Sequence, residues 1–211
     1  MTQHSHHTTY LSDYCPPSYY VDRVELHFNL EPEATTVEVL SYMQRGADVS
    51  QSTPLFLNGD GLKLVDIQLD GTPVPEGNYE LNANGLTIFS LPQQFCLRIV
   101  TRITPAANSA LEGLYLSSGN FCTQCEPEGF RRITYFQDRP DVMAVYTTTI
   151  TADKSDFPVL LSNGNLVDHG NLVDHGDLEG GRHFARWNDP FPKPAYLFAL
   201  VAGKLVCQED S

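Results

Sequence analysis

The sequence predicts an all-β fold, an antiparallel sandwich or saddle-like double sheet, on three observations. Apolar residues recur with a period of two, turn-forming residues interrupt the chain roughly every 8–12 residues, and no stretch longer than about ten residues keeps the 3.6-residue period of a helix. The first strand is the clearest. In Val24-Glu-Leu-His-Phe-Asn-Leu30 the residues Val24, Leu26, Phe28 and Leu30 fall on one face, with Glu25, His27 and Asn29 opposite, as in a half-buried antiparallel strand. His27 is therefore a solvent-facing side chain rather than a ligand. Val37 to Arg45 reads as the neighbouring strand, with a turn at Glu31-Pro32-Glu33.

Further strands are expected at Pro54–Leu57, Leu62–Leu69, Asn78–Leu81, Leu86–Phe89, Phe95–Thr104, Ile133–Gln137, Met143–Ala152 and Tyr196–Ala202. The punctuation between them is Asn58-Gly59, Asp70-Gly71, Glu76-Gly77-Asn78 and Asn84-Gly85, residues that supply left-handed or tightly turned backbone. Asp141 to Tyr146, following Pro140, reads equally as a helix start or a strand. The expected organisation is a flexible tail over residues 1–13, a single all-β domain over 14–204, and a truncated end over 205–211. Residues 165–176 repeat Asn-Leu-Val-Asp-His-Gly twice without a mismatch. Two short units make no solenoid, and an even-numbered insertion preserves the alternation of faces downstream. The expectation is a lengthened or bulged hairpin whose two copies compete for one register. Asp168, His169, Asp174 and His175 suggest a metal site, but equivalent positions in an extended chain lie about 20 Å apart, too far to share an ion.

Composition bounds the function. The 211 residues carry a net charge of −13, and Arg131-Arg132 is the one adjacent basic pair. Such a field repels a nucleic-acid backbone. No apolar run reaches the roughly 20 residues of a membrane span, and Met1-Thr-Gln-His-Ser-His-His lacks the pattern of a signal peptide. No membrane or nucleic-acid partner is expected. Five scattered cysteines, an odd number, fit reduced thiols and a cytoplasmic location better than a disulfide framework.

The stretch Phe121-Cys-Thr-Gln-Cys-Glu-Pro-Glu-Gly-Phe-Arg-Arg132 concentrates the chemistry. Cys122 and Cys125 have the spacing of a redox pair, but such a pair opens a helix in a β/α unit, whereas glycine, asparagine and proline flank this one. A structural zinc site needs a second pair, and the other cysteines stand alone at 15, 96 and 207. Redox, half a metal site and simple loop packing remain the three readings, with packing the plain one. No histidine is followed by glutamate, which excludes a His-Glu-x-x-His zinc helix in this chain, and no phosphate-binding glycine loop or nucleophile elbow is present. Residue chemistry alone reaches a β-rich protein with a polar, acidic loop.

A resemblance extends this. The run Ile103 to Tyr115, the stretch Cys122 to Tyr135, Asp138-Arg-Pro-Asp-Val142, Leu160-Leu-Ser-Asn-Gly164 and Asn188 to Gly203 closely resemble the bacterial aminopeptidase N family. The likeness runs from Tyr14 over nearly the whole chain. It implies an N-terminal all-β domain that precedes a thermolysin-like zinc catalytic domain. It also implies that Gln124 and Glu126 enter the active site, Glu126 holding the substrate's free α-ammonium and Gln124 lining the pocket for the first side chain. Cys122 and Cys125 then pack the loop, while Arg131 and Arg132 pin it or meet the adjoining domain. The zinc helix, the Gly-x-Met-Glu-Asn strand and the transition-state tyrosine of the family are absent from these residues. The chain is thus expected to carry no catalytic residue, metal or cofactor of its own, the parent enzyme's zinc lying elsewhere. Its expected partners are a peptide N-terminus and a zinc catalytic domain in cis or in trans. The alternative is a stand-alone, non-catalytic β-sandwich binding module.

Overall fold

A computed structural model describes residues 10–167 and 181–208. The strands are β1 (Tyr19–Asn29), β2 (Thr35–Arg45), β3 (Leu55–Asn58), β4 (Lys63–Leu69), β5 (Thr72–Pro73), β6 (Tyr79–Asn82), β7 (Gly85–Ile88) and β8 (Gln94–Ile103). They continue with β9 (Gly113–Ser117), β10 (Asn120–Gln124), β11 (Met143–Asp153), β12 (Val159–Ser162), β13 (Asn165–Leu166), β14 (Arg182–Pro194) and β15 (Leu200–Gly203). Helical structure among the described residues is confined to 3-10 turns at Leu11–Asp13, Pro105–Ala107, Phe130–Arg132 and Ala195–Leu197.

Three sheets result. The largest runs β13-β14-β11-β1-β2-β8-β4-β5, a second runs β12-β15-β10-β9, and a third runs β3-β7-β6. Alternation dictates the core: Val24, Leu26 and Phe28 of β1 and Val37, Val39 and Met43 of β2 are buried, while His27 faces solvent as expected. These faces pack against Leu114, Phe121 and Leu200 of the second sheet and Leu55, Leu57, Leu86 and Ile88 of the third, in one buried cluster. Burial of such side chains stabilises by about 1.5–3 kcal/mol each.

The all-β expectation holds, but β9, β10, β12 and β14 lie outside the expected strands, and three further differences are local. The large sheet is not wholly antiparallel, because β1 and β11 pair in parallel, Arg23 opposite Val145 through Asn29 opposite Thr151. A parallel pair needs a long crossover, and the chain between these strands supplies β2, β4, β5 and β8 of the same sheet, the whole third sheet, and β9 and β10 of the second. The strand expected at Ile133–Gln137 does not form. Those residues are all buried and follow a 3-10 turn, and only Phe136 makes a ladder contact, an isolated bridge to Asn58. The strand expected over Tyr196–Ala202 begins later, at Leu200, because a 3-10 turn occupies Ala195–Leu197. Of the hexamer duplication, Asn165 and Leu166 form β13 against Asn188 and Trp187. Asp168, His169, Asp174 and His175 lie outside the described residues, as does most of the expected N-terminal tail.

Candidate functional site

The site is built at the end of β10, an interior strand of the second sheet. β10 is held by β9 on one side, with Gln124 opposite Gly113, and by β15 on the other, with Cys122 opposite Val201. Phe121 is buried beneath it, its ring 4.8 Å from that of Phe157. The Thr123 hydroxyl accepts from the Leu200 amide at 2.8 Å and donates to the Leu200 carbonyl at 3.3 Å, locking the strand to its neighbour. Thr123 is thus the last residue of β10 whose side chain bonds to a neighbouring strand, and Gln124 ends the ladder opposite Gly113.

After Gln124 the chain makes a compact loop. The Gly129 amide donates to the Cys125 carbonyl at 2.8 Å, and Gly129 packs so closely that a Cβ there would lie 2.2 Å from the Gln124 carbonyl oxygen. Glycine is required by that approach. Within the loop the Gln124 amide donates to the Glu126 carbonyl at 3.2 Å, and the Glu126–Pro127 peptide is cis. Cys125 points inward, only 3% exposed, and burial followed by the charge of Asp138 pushes its thiol up to about 12. Cys122 also titrates above its usual range through burial. A reactive redox cysteine needs the opposite shift, so packing is the chemistry these two thiols fit.

Below the loop lies a rigid base. The Arg131 amide and Nε donate to Asp138 Oδ2 at 3.1 and 3.0 Å, and a terminal nitrogen of Arg131 donates to the Asp138 carbonyl at 3.1 Å. Another reaches the Glu128 carboxylate at 3.2 Å. Burial raises the Asp138 carboxyl above the ordinary range, and the Arg131 guanidinium opposes that rise. Phe130, between loop and ion pair, is fully buried, with its ring 5.1 Å from Phe136 and 5.4 Å from Phe198. Arg132 turns the other way, to Asp60 at 2.6 Å and Glu112 at 3.0 Å. Both arginines therefore pin the loop, each to a different part of the fold.

The two loop acids separate on this base. Glu128 is paired with Arg131, whereas no hydrogen bond or ion pair reaches the Glu126 carboxylate among the described residues. Glu126 instead rims an open depression of about 380 Å³ with Pro127, Glu128, Asp138, Pro140 and Tyr196. Gln124 and Glu126 are both exposed on the same loop, joined by the side-chain-to-backbone bond above. Sequence reasoning did not place Asp138 and Tyr196 beside the loop, since neither their spacing from Gln124 nor their residue type signals that contact. No group of three or more potential ligands capable of holding a metal occurs among the described residues, and no described helix is long and apolar enough to cross a membrane.

Comparison with known proteins covers nearly the whole chain. The model of the peptidase M1 N-terminal domain matches residues 17–197. The chain is 52% identical over 196 residues to aminopeptidase N of Caulobacter vibrioides and 49% identical over 202 residues to that of Escherichia coli. These alignments cover 92% and 96% of the chain but only 22% of each relative. Among solved structures, Legionella pneumophila aminopeptidase A in complex with aspartic acid is similar at a TM-score of 0.84 and 38% identity, covering 93% of this chain and 22% of that one. An M1 zinc metallopeptidase from Deinococcus radiodurans shares the fold at a TM-score of 0.71 and 18% identity, over 89% of this chain and 42% of its own.

Proposed function

We propose a function from one premise: this chain belongs to the peptidase M1 N-terminal domain family. In a parent zinc aminopeptidase it forms one wall of the active site and anchors the free N-terminus of a peptide. Glu126 accepts charge-assisted hydrogen bonds from the substrate's α-ammonium, and Gln124 borders the pocket for the first side chain. The zinc-dependent hydrolysis belongs to a separate catalytic domain, so this chain alone turns over no aminoacyl substrate. Its five unpaired thiols support a cytoplasmic enzyme.

The observation that carries this proposal is the unpartnered Glu126 carboxylate at the rim of an open depression, beside a paired Glu128 and a paired Asp138. A carboxylate held on a braced loop without a cation of its own is suited to receive one, and bonds between ionised groups are the strong class. A site built around an ammonium rejects a blocked N-terminus, because the acid is then left without a partner. Exposed apolar side chains support a covering domain. Phe191 is 75% exposed, and Met143 and Leu197 are also exposed at the same end of the β11–β14 pair, close in sequence to Pro140 and Tyr196 of the depression. A stand-alone module gains nothing from that apolar end.

The direct experiment is Glu126→Ala in the full-length parent enzyme, assayed with an alanine-type substrate. The proposal expects KM to rise about tenfold or more, as befits a lost charged hydrogen bond, with the smaller change in kcat. Unchanged kcat/KM contradicts it.

A further inference from the structure

On the other side of Arg132 from the loop, a depression of about 440 Å³ opens beside the ends of β4 and β8. Lys63, Arg102 and Arg132 line it against one acid, Asp60, in a chain whose net charge is −13. Arg132 is already neutralised by Asp60 and Glu112. Lys63 and Arg102 are different. They stand directly opposite each other in the β4–β8 ladder, both exposed, and neither has an ion-pair partner among the described residues.

Like charges in directly opposed positions of an antiparallel pair destabilise the sheet. The neighbouring carboxylates do not relieve this pair. Glu38 and Asp66, each opposite Val100, both turn to Arg98. On its other flank Arg102 faces Thr36, which is neutral. The turn after β8 completes the wall. The Asn108 amide donates to the Glu112 and Leu114 carbonyls at 2.7 and 2.9 Å, which fixes the turn and leaves the hydroxyl residues Thr104 and Ser109 lining the depression.

We propose that this depression binds a small tetrahedral oxyanion of the phosphate or sulfate kind between Lys63 and Arg102, with Thr104 and Ser109 at its edge. Such an ion accepts bonds from several directions, matches the forked guanidinium, and cancels the repulsion across the ladder. Glu126 takes no part, so this site stands independently of the substrate reading.

Titration of the isotopically labelled 211-residue chain with sodium phosphate, against sodium chloride at matched ionic strength, tests the site. Saturable shifts in the amides of Lys63, Arg102 and Ser109 are expected with phosphate alone, together with a higher Tm. Both cations are exposed, so a Lys63→Gln/Arg102→Gln variant keeps the fold. Its phosphate affinity is expected to fall by about tenfold or more. The proposal is overturned if phosphate and chloride act alike on the wild-type chain, or if the double variant binds phosphate as tightly as wild type.

Discussion

At the tip of the β10 loop, Gln124, Glu126 and Glu128 are exposed, and at its floor Phe130, Ile133, Phe136 and Asp138 are buried. At the tip the Glu126 carboxylate has no partner among the described residues, while the floor holds an aromatic cluster and an ion pair with three hydrogen bonds between the same two residues. The contrast separates two roles within fifteen residues of chain. Stability is concentrated in the floor. The tip contributes little to it and is free to present polar groups outward in a fixed geometry, which is what a binding site needs from its scaffold.

That separation is open to direct attack, beginning with the floor. Phe130→Ala removes a fully buried ring that touches Phe136, Tyr146 and Phe198, and is expected to cost about 3–5 kcal/mol in urea unfolding. Asp138→Ala leaves Arg131 with Glu128 alone, and about 3 kcal/mol is expected, the low end for a broken buried pair.

The same acid makes a prediction in pH. Its carboxyl is raised from 3.8 by burial, so the folded chain keeps that proton to higher pH than the unfolded chain. Its contribution to stability is complete below the unfolded value and declines as pH rises through the folded one. Unfolding curves for wild type and Asp138→Asn, run upward from about pH 4, should show the wild-type advantage narrowing. A widening difference contradicts the assigned shift.

Arg132→Ala has the smallest expected effect on stability. Its partners Asp60 and Glu112 are about half exposed, and less than about 1 kcal/mol should be lost. A loss comparable to that of Asp138→Ala would place the anchor of the loop on the wrong arginine.

The same contrast explains what the sequence disclosed. β1, β2 and β11 were legible because one face of each is buried and the other is not, so hydrophobicity alternates along the chain. Ile133 to Gln137 misled because every residue there is buried, the polar Thr134 and Gln137 included, so its strand-like sequence has no exposed face to match. β14 was missed for a related reason. Its residues are mostly half-buried, and it carries Pro190, Pro192 and Pro194 at its far end, where register shifts between Ala144 and Tyr146 of β11. β9 and β10 are short, and the hairpin between them relies on Ser118 and Gly119, both at positive φ.

The proposed site rests on resemblance alone as far as the sequence goes. Glu126 and Glu128 are the same residue type two positions apart, and nothing in their spacing assigns different roles. The difference arises from Arg131, which takes up Glu128 and leaves Glu126 free. Whether a carboxylate is partnered depends on side chains brought together by the fold, and periodicity carries no record of it.

The most direct measurement compares two ligands in the full-length parent, with and without Glu126. One is a competitive inhibitor with a free α-ammonium and the other its analogue lacking that amine. Wild type is expected to prefer the amine about tenfold or more, and Glu126→Ala to lose most of that preference while binding the amine-free analogue nearly as before. If the variant retains the full preference, the ammonium is held by another group and the role assigned to Glu126 is wrong.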